Sequence, residues 1–391
     1  MMIVLMIQAI FLASLYVDQA YSQGTLMINC GGGGDGMWES DDNFIKTGQN
    51  SQEKYLIQAG FFYGSYDGKF TPPTFDLQFD GNHWATVYTT RESPSFKEAI
   101  VFAKRENISV CVARTLAYNQ IPFISTLVLV YLPSSLPYKR IGGGYYRLGR
   151  MNMKQVMNRR FCRFPGDIYS RLWFLGVSPF YKYVTAPEPR NLGGLEDQPP
   201  SSVMTSTIEA PNPSESMIFC FILDEKNRLV YVNLYFTEAK ASRKKRMFDV
   251  YINGENMNLD LFLQYEMGTE ISLSLVTMTS LFNLTLTPRE GSTLPPTISG
   301  MELFSVIEEL ASGTSNDDVQ GLEQLISNWK SLKGWTGDPC LPSYSAWDWI
   351  SCDDNNPPRV LSLNLGSHGL EGQIIDFSQM QILEVIGFTT H

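Results

Sequence analysis

Short runs of β-branched and aromatic residues, separated by Gly, Pro and Asn, fill the chain up to about Val306. Thr25–Cys30, Trp84–Tyr88, Glu98–Phe102, Ile108–Val112 and Ile124–Tyr131 read as strands. So do Met217–Leu223, Leu229–Phe236, Phe248–Ile252, Ile271–Val276 and Phe282–Leu286. Many short strands with turn signals between them predict an all-β sandwich or barrel. Val230, Val232, Leu234 and Phe236 alternate with Tyr231, Asn233 and Tyr235, the period of a strand with one apolar and one half-polar face. The pattern changes after Asp317. Val319, Leu322, Leu325, Ile326 and Trp329 recur at helical spacing behind two acidic residues, predicting a helix over Asp317–Leu332. Leu363, Leu365 and Leu370 then fit one leucine-rich repeat, and Ile386–Phe388 the start of a second.

The strand pattern repeats. Tyr55–Asn82 is a strand, a turn-rich loop and a second strand, and Leu229–Glu255 has the same design. Phe75-Asp76-Leu77 matches Phe248-Asp249-Val250, and Gly81 matches Gly254, at one fixed separation; Ser125 and Ser299 agree within one residue. A separation held across distinct blocks implies two copies of one fold. Phe164–Trp173 reads as a packed connector, and the proline-rich stretch Ala186–Ser202, with Gly193-Gly194, as a linker.

Composition narrows the function classes. A chain of 391 residues, 43% hydrophobic and 18% charged, supports two or three domains with their own cores. The net charge of −10 argues against nucleic acid as a partner. The cationic run Lys240–Arg246 reads as a solvated hairpin loop, with an anionic polysaccharide partner as the sharper alternative. The apolar start Met1–Val17, followed by Ala20-Tyr21-Ser22, reads as a signal peptide. Its lack of Lys and Arg leaves an uncleaved anchor open. No later stretch has the length of a transmembrane helix. Six cysteines without a C-x-x-C pair, and three histidines, argue for disulfides rather than zinc. Asn107-Ile108-Ser109 and Asn283-Leu284-Thr285 are N-glycosylation sequons, while Pro213 excludes Asn212.

Catalytic chemistry finds no support. Glycosidases need two carboxylates held apart across a cleft. The pairs Asp41-Asp42, Asp317-Asp318 and Asp353-Asp354 are adjacent and read as solvated turns. No G-x-S-x-G elbow is present. Asp353–Asn356 lacks an EF-hand pattern, and no metal or cofactor is expected. Sugar binding instead needs aromatic faces beside polar partners. Phe62–Gly68 supplies that mixture, as does Trp84 next to Asn82 and His83. Tyr63, Tyr66, Asp67 and Trp84 are therefore the candidate ligand residues, against the alternative that Tyr63 and Tyr66 are packing at the edge of the sandwich.

Tyr55-Leu56-Ile57-Gln58-Ala59, Tyr63–Gly68, Phe75-Asp76-Leu77, Phe236-Thr237-Glu238 and Ser292–Pro296 together resemble the plant malectin-like ectodomain. Trp335, Gly337-Asp338-Pro339-Cys340 and the following repeat resemble the corresponding region of malectin-like leucine-rich-repeat receptor kinases. The resemblance implies a mainly β chain: two tandem malectin-type β-sandwiches, then a short helical cap and an incomplete leucine-rich repeat. It divides the chain into a signal peptide (1–22), a first lobe with connector (23–190), a second lobe (191–310) and a cysteine-capped partial repeat (311–391). It also implies a Cys340–Cys352 disulfide over the apolar end of the repeat, worth about 3 kcal/mol. How Cys30, Cys111, Cys162 and Cys220 pair is left open by the sequence. The family spacing between Thr47-Gly48 and Lys54-Tyr55 is shortened here, so strands of the first sandwich are expected to be missing or replaced. No transmembrane helix or kinase follows, so signalling by this polypeptide alone is not expected.

The expected function is non-catalytic recognition on the secretory route, in the apoplast or at the outer face of the plasma membrane. The expected ligand is a cell-wall oligosaccharide, with a receptor kinase as a further partner. The competing expectation is a secreted peptide or co-receptor held in the cleft between the lobes. A shortened, non-signalling ectodomain, or a product that does not fold, completes the alternatives.

Overall fold

The computed structural model describes residues 25–29, 39–40, 53–79, 81–102, 110–115, 120–136, 138, 144–152, 161–162, 166–176, 179–222, 228–241, 244–278, 281–307, 312–332, 338–343, 346–366, 368–370 and 376–388. The first 22 residues and Asn107 lie outside them.

One long sheet is the backbone of the molecule. In spatial order it runs Gly268–Met278, Arg228–Thr237, Gly300–Ile307, Gly144–Asn152, Ser95–Phe102, Lys54–Phe61, Thr126–Leu132, Thr25–Asn29 and Glu39–Ser40. Two triplets in this order are equivalent. Lys54–Phe61 lies between Ser95–Phe102 and Thr126–Leu132, as Arg228–Thr237 lies between Gly268–Met278 and Gly300–Ile307. Gly144–Asn152 pairs antiparallel with Gly300–Ile307 on one side and with Ser95–Phe102 on the other. The two tandem lobes thus share one continuous sheet.

Each triplet is closed by its own small sheet. In the first lobe Thr74–Phe79 pairs with Asn82–Tyr88 and Val110–Arg114. In the second, Leu281–Pro288 pairs with Met217–Ile222 and Phe248–Ile252. The sequence repeat maps onto this layout: in both copies the chain leaves the long sheet and returns in the facing one. Phe61 meets Phe75 edge-on at 5.5 Å, and Phe236 meets Phe248 at 5.8 Å. Gly81 (φ 74°) and Gly254 (φ 86°) make the same left-handed turn, a conformation that costs glycine little. Ser125 N–H donates to the Gly60 carbonyl and Ser299 N–H to that of Tyr235. Period-2 burial explains the packing. Tyr55, Ile57, Ala59 and Phe61 face one core, as Val230, Val232, Leu234 and Phe236 face the other. Each large side chain sealed there contributes about 1.5–3 kcal/mol.

The far face of the long sheet is also buried. Leu56, Ile100, Val128 and Val130 from the first lobe pack with Tyr231 and Phe304 from the second, under Leu136 and Tyr138. The proline-rich segment expected as a linker is part of this cover. Leu195, Val203 and Met204 pack with Trp173 and Tyr235, because apolar residues between the prolines turn inward.

The C-terminal unit holds the helix Asn316–Asn328 and a three-stranded sheet, Ile350–Cys352, Val360–Asn364 and Val385–Gly387. The last two strands run parallel, with Ser362 opposite Val385. Asp318 departs from the solvated turn expected of it. It is fully buried and receives Arg359 Nε at 2.8 Å, Arg359 Nη2 at 3.1 Å and Val360 N–H at 2.9 Å, tying the helix to the sheet. Cys340 and Cys352 form the disulfide, with Cα atoms 5.9 Å apart. This unit rests on the first lobe: a Cβ built on Gly81 would come within 2.6 Å of Leu341 Cβ. Among the described residues no helix is long and apolar enough to cross a membrane.

Candidate functional site

Three segments meet at one end of the first lobe: 62–73, 88–93 and 120–125. Phe62 N–H donates to Ser125 Oγ (3.0 Å), Thr74 N–H to Gln120 Oε1 (2.8 Å), and Thr89 Oγ1 to the Pro73 carbonyl (2.7 Å). The loop is tightly wound: Gly64, Ser65, Gly68 and Phe70 all have φ between 52° and 67°. Asp67 stabilises it by accepting from the Tyr63 hydroxyl and from Lys69 N–H (3.0 Å). The Tyr63 hydrogen bond holds the exposed Asp67 carboxyl below the usual carboxylate range, with smaller help from Lys69.

The four candidate ligand residues occupy different environments. Tyr63 is 1% exposed and Trp84 6%, both in the first core. Tyr63 meets Tyr66 at 5.4 Å, and Tyr66 meets Phe123 at 5.5 Å, so the tyrosine rings pack on neighbours. Asp67 is exposed. The rings that do face solvent here are Phe62 (42%), Phe70 (59%) and Tyr88 (64%). The Arg91 guanidinium lies 5.0 Å from the Phe70 ring centroid. A bulky residue with φ of 58° is strained. Sequence reasoning placed Phe62 in the candidate loop without singling it out, and missed Phe70. The signal was present: continuing the alternation from Tyr55 through Phe61 places Tyr63 inward and Phe62 outward.

The junction between the lobes is filled on its covered face by polar side chains. Arg171, 1% exposed, donates from Nε to Asp167 Oδ2 (2.7 Å), from Nη1 to the Asp197 carbonyl (2.8 Å) and from Nη2 to the Gln198 carbonyl (2.7 Å). Trp173 Nε1 also donates to Asp167 (2.6 Å). Gln58 Nε2 reaches both Glu98 (2.7 Å) and the Ser170 carbonyl (2.6 Å), which joins the first lobe to the same connector. Tyr231, Asn233 and Tyr235, the half-polar face of their strand, are buried in this seam.

The cationic run differs from a solvated loop. Arg246 is buried and donates to Glu209 (2.6 Å) and Glu238 (2.7 Å), and Lys240 pairs with Glu209 at 2.5 Å. Lys244 and Lys245 are exposed, and 242–243 lie outside the described residues. Asn283 stands on the outer face of its sheet, opposite the exposed thiol of Cys220.

A family model for the malectin-like domain matches residues 43–306. The probable leucine-rich-repeat receptor-like serine/threonine-protein kinase PAM74 of Arabidopsis thaliana is 31% identical over 355 residues, 86% of this chain and 38% of its own length. The similarly described MEE39 of the same plant is 29% identical over 367 residues, 90% of this chain and 40% of its own. This chain thus spans about two fifths of these relatives. Among solved structures, the ANX2 ectodomain from Arabidopsis thaliana has a TM-score of 0.59 at 12% identity, covering 73% of this chain and 98% of that one. A structure of FER with the plant peptide RALF23 and LLG2 gives a TM-score of 0.56 at 13% identity, covering 73% of this chain and 96% of that one. At such identities the likeness is one of fold. The chain belongs to the malectin-like domain family and has the fold of receptor-kinase ectodomains.

Proposed function

We propose that this chain is a non-catalytic extracellular recognition module and that its ligand face is the 62–73/88–93 end of the first lobe. The observation that carries this is Phe70, a solvent-facing aromatic in a left-handed conformation under Arg91, on the same loop as exposed Phe62 and Asp67. An apolar ring kept in water at a conformational cost fits a binding role better than a packing role. The chemistry suits an oligosaccharide. Exposed rings stack on the C–H faces of sugars, while Asp67 and Arg91 offer an acceptor and a donor for hydroxyls. Of the residues first singled out, Asp67 would touch ligand directly. Tyr63, Tyr66 and Trp84 would hold the loop from beneath.

The test is titration of the purified chain with plant cell-wall oligosaccharides, alongside Phe70→Ala and Phe62→Ala. Saturable binding lost in both variants supports the reading; absence of binding across the wall oligosaccharides sinks it. A second reading is peptide or co-receptor recognition, favoured by the fold shared with FER, which was solved with a peptide and LLG2. It predicts retention of a secreted peptide without glycan, and binding unaffected by Phe70→Ala.

A further inference from the structure

Met217–Ile222 reads Met-Ile-Phe-Cys-Phe-Ile, an apolar run with no charge, Pro or Gly in it. Among the described residues it pairs only with Leu281–Pro288, which makes it the edge of the second lobe's small sheet. Open edge strands of this composition pair with other chains unless something blocks them. Phe219 and Phe221 pack on the core, while Ile218 and Cys220 face water. Tyr181 supplies one block. Its hydroxyl accepts from Ile218 N–H at 2.7 Å and donates to the Ile218 carbonyl at 3.1 Å. By alternation the main-chain groups of Cys220 point to the same open side, two residues beyond the one that Tyr181 covers.

Directly across from Cys220 stands Asn283, the first residue of the sequon Asn283-Leu284-Thr285. Asn283 N–H donates to Asn253 Oδ1 (2.9 Å), and Asn253 N–H donates to the Asn283 carbonyl (2.8 Å). The main chain of Asn283 therefore faces away from Cys220. That makes the two a non-hydrogen-bonded pair, the kind with the closest side chains, Cα atoms about 4.5 Å apart. Thr285 lies on the same outer face, and its Oγ1 donates to Asn283 Oδ1 at 3.2 Å. The amide oxygen is thus engaged, and Nδ2 has no partner among the described residues.

We propose that Asn283 carries an N-linked glycan, and that this glycan covers the edge strand and keeps Cys220 and the open edge from a second copy of the chain. This rests on the extracellular reading above, since the secretory route supplies the donor, a lipid-linked oligosaccharyl diphosphate. The bond from the donor's anomeric carbon to the diphosphate oxygen breaks. Asn283 Nδ2 bonds to that carbon and gives up one proton as the lipid diphosphate leaves. The edge strand is one spacing away, about 4.8 Å, a span that the first two sugars exceed. A glycan here and a strand-to-strand dimer centred on Cys220 exclude one another. Tyr181 favours the glycan, because its hydroxyl already fills the ladder position at Ile218 that a second strand would need.

The whole chain is expressed through the secretory pathway of plant cells, beside Thr285→Val, Thr285→Ser and Asn283→Gln. Valine keeps the shape and strand preference of threonine but removes the sequon, whereas serine keeps the sequon. Glycopeptide mass spectrometry should find the glycan on Asn283 in the native chain and in Thr285→Ser, and not in the other two. Maleimide labelling of Cys220, followed by peptide mapping, should run about tenfold faster or more in Thr285→Val and Asn283→Gln than in the native chain. Both variants should associate on size exclusion, with disulfide-linked dimers, where the native chain stays single. A secreted native chain that is bare at Asn283 overturns the proposal. So do equal labelling rates in all four proteins, or a native chain already joined through Cys220. A chain that never enters the secretory pathway overturns the extracellular reading, and this inference with it. If Thr285→Val does not fold, Asn283→Gln carries the comparison. Binding at the first-lobe loop plays no part in these readouts.

Discussion

Replacing Arg171 with methionine keeps most of the side-chain volume and removes every donor. Asp167, fully buried, would keep Trp173 Nε1 and Tyr169 N–H but lose the Arg171 guanidinium. Breaking a buried ion pair from one side costs about 3–5 kcal/mol. The carbonyls of Asp197 and Gln198 also lose their Arg171 donors, at about 1 kcal/mol each. Methionine packing against Trp173 returns about 1 kcal/mol. The net expectation is a loss of about 4–6 kcal/mol, measured by urea unfolding followed through tryptophan fluorescence. Arg171→Met/Asp167→Leu should cost less than the single change, since no charge is then left buried alone. A loss below about 1 kcal/mol for Arg171→Met would refute the idea that this residue joins the lobes.

Gly81 and Gly254 make the same turn in different surroundings, so alanine separates packing from backbone strain. Gly254→Ala should cost about 1 kcal/mol, from the left-handed backbone alone, because open space surrounds it. Gly81→Ala should cost a further 1–3 kcal/mol, roughly, by driving a methyl into Leu341; equal losses would mean that the C-terminal unit does not rest on the first lobe. Serine at Cys352 should destabilise the C-terminal unit by about 3 kcal/mol, read as earlier proteolysis near the helix Asn316–Asn328 with the lobes unchanged. Tyr63→Phe removes the bond that depresses Asp67, whose contribution to the loop is present above about pH 3.9 and lost as pH falls through its lowered value. The acid midpoint of the loop, followed by NMR, should therefore move up in this variant.

The sandwich halves were legible because their strands obey period 2. Phe75 and Phe248, or Leu77 and Val250, show the same inward alternation, and the repeat placed them at equivalent points. The seam was not legible, because both faces of Lys54–Phe61 are buried. Alternation then no longer separates core from surface, and Tyr231, Asn233 and Tyr235 read the same whether water or a connector covers them. Gly144–Asn152 carries arginines and glycines rather than a β-branched run, so its place between the lobes depends on its two neighbours and not on its own propensity. Ring exposure at the loop was decided by which side of Phe61 each aromatic falls on, and a count of aromatics does not contain that. Asp318 looked like half of an acidic turn because its partner, Arg359, is distant in sequence.

The central claim is that the exposed loop end of the first lobe is a ligand face. Calorimetric titration of the intact chain and of Phe70→Ala, with one panel of cell-wall oligosaccharides, tests it most directly. The account predicts saturable binding by the native chain and a loss of about 2 kcal/mol or more in the variant, with its unfolding midpoint unchanged. Equal affinity in the two proteins would contradict it.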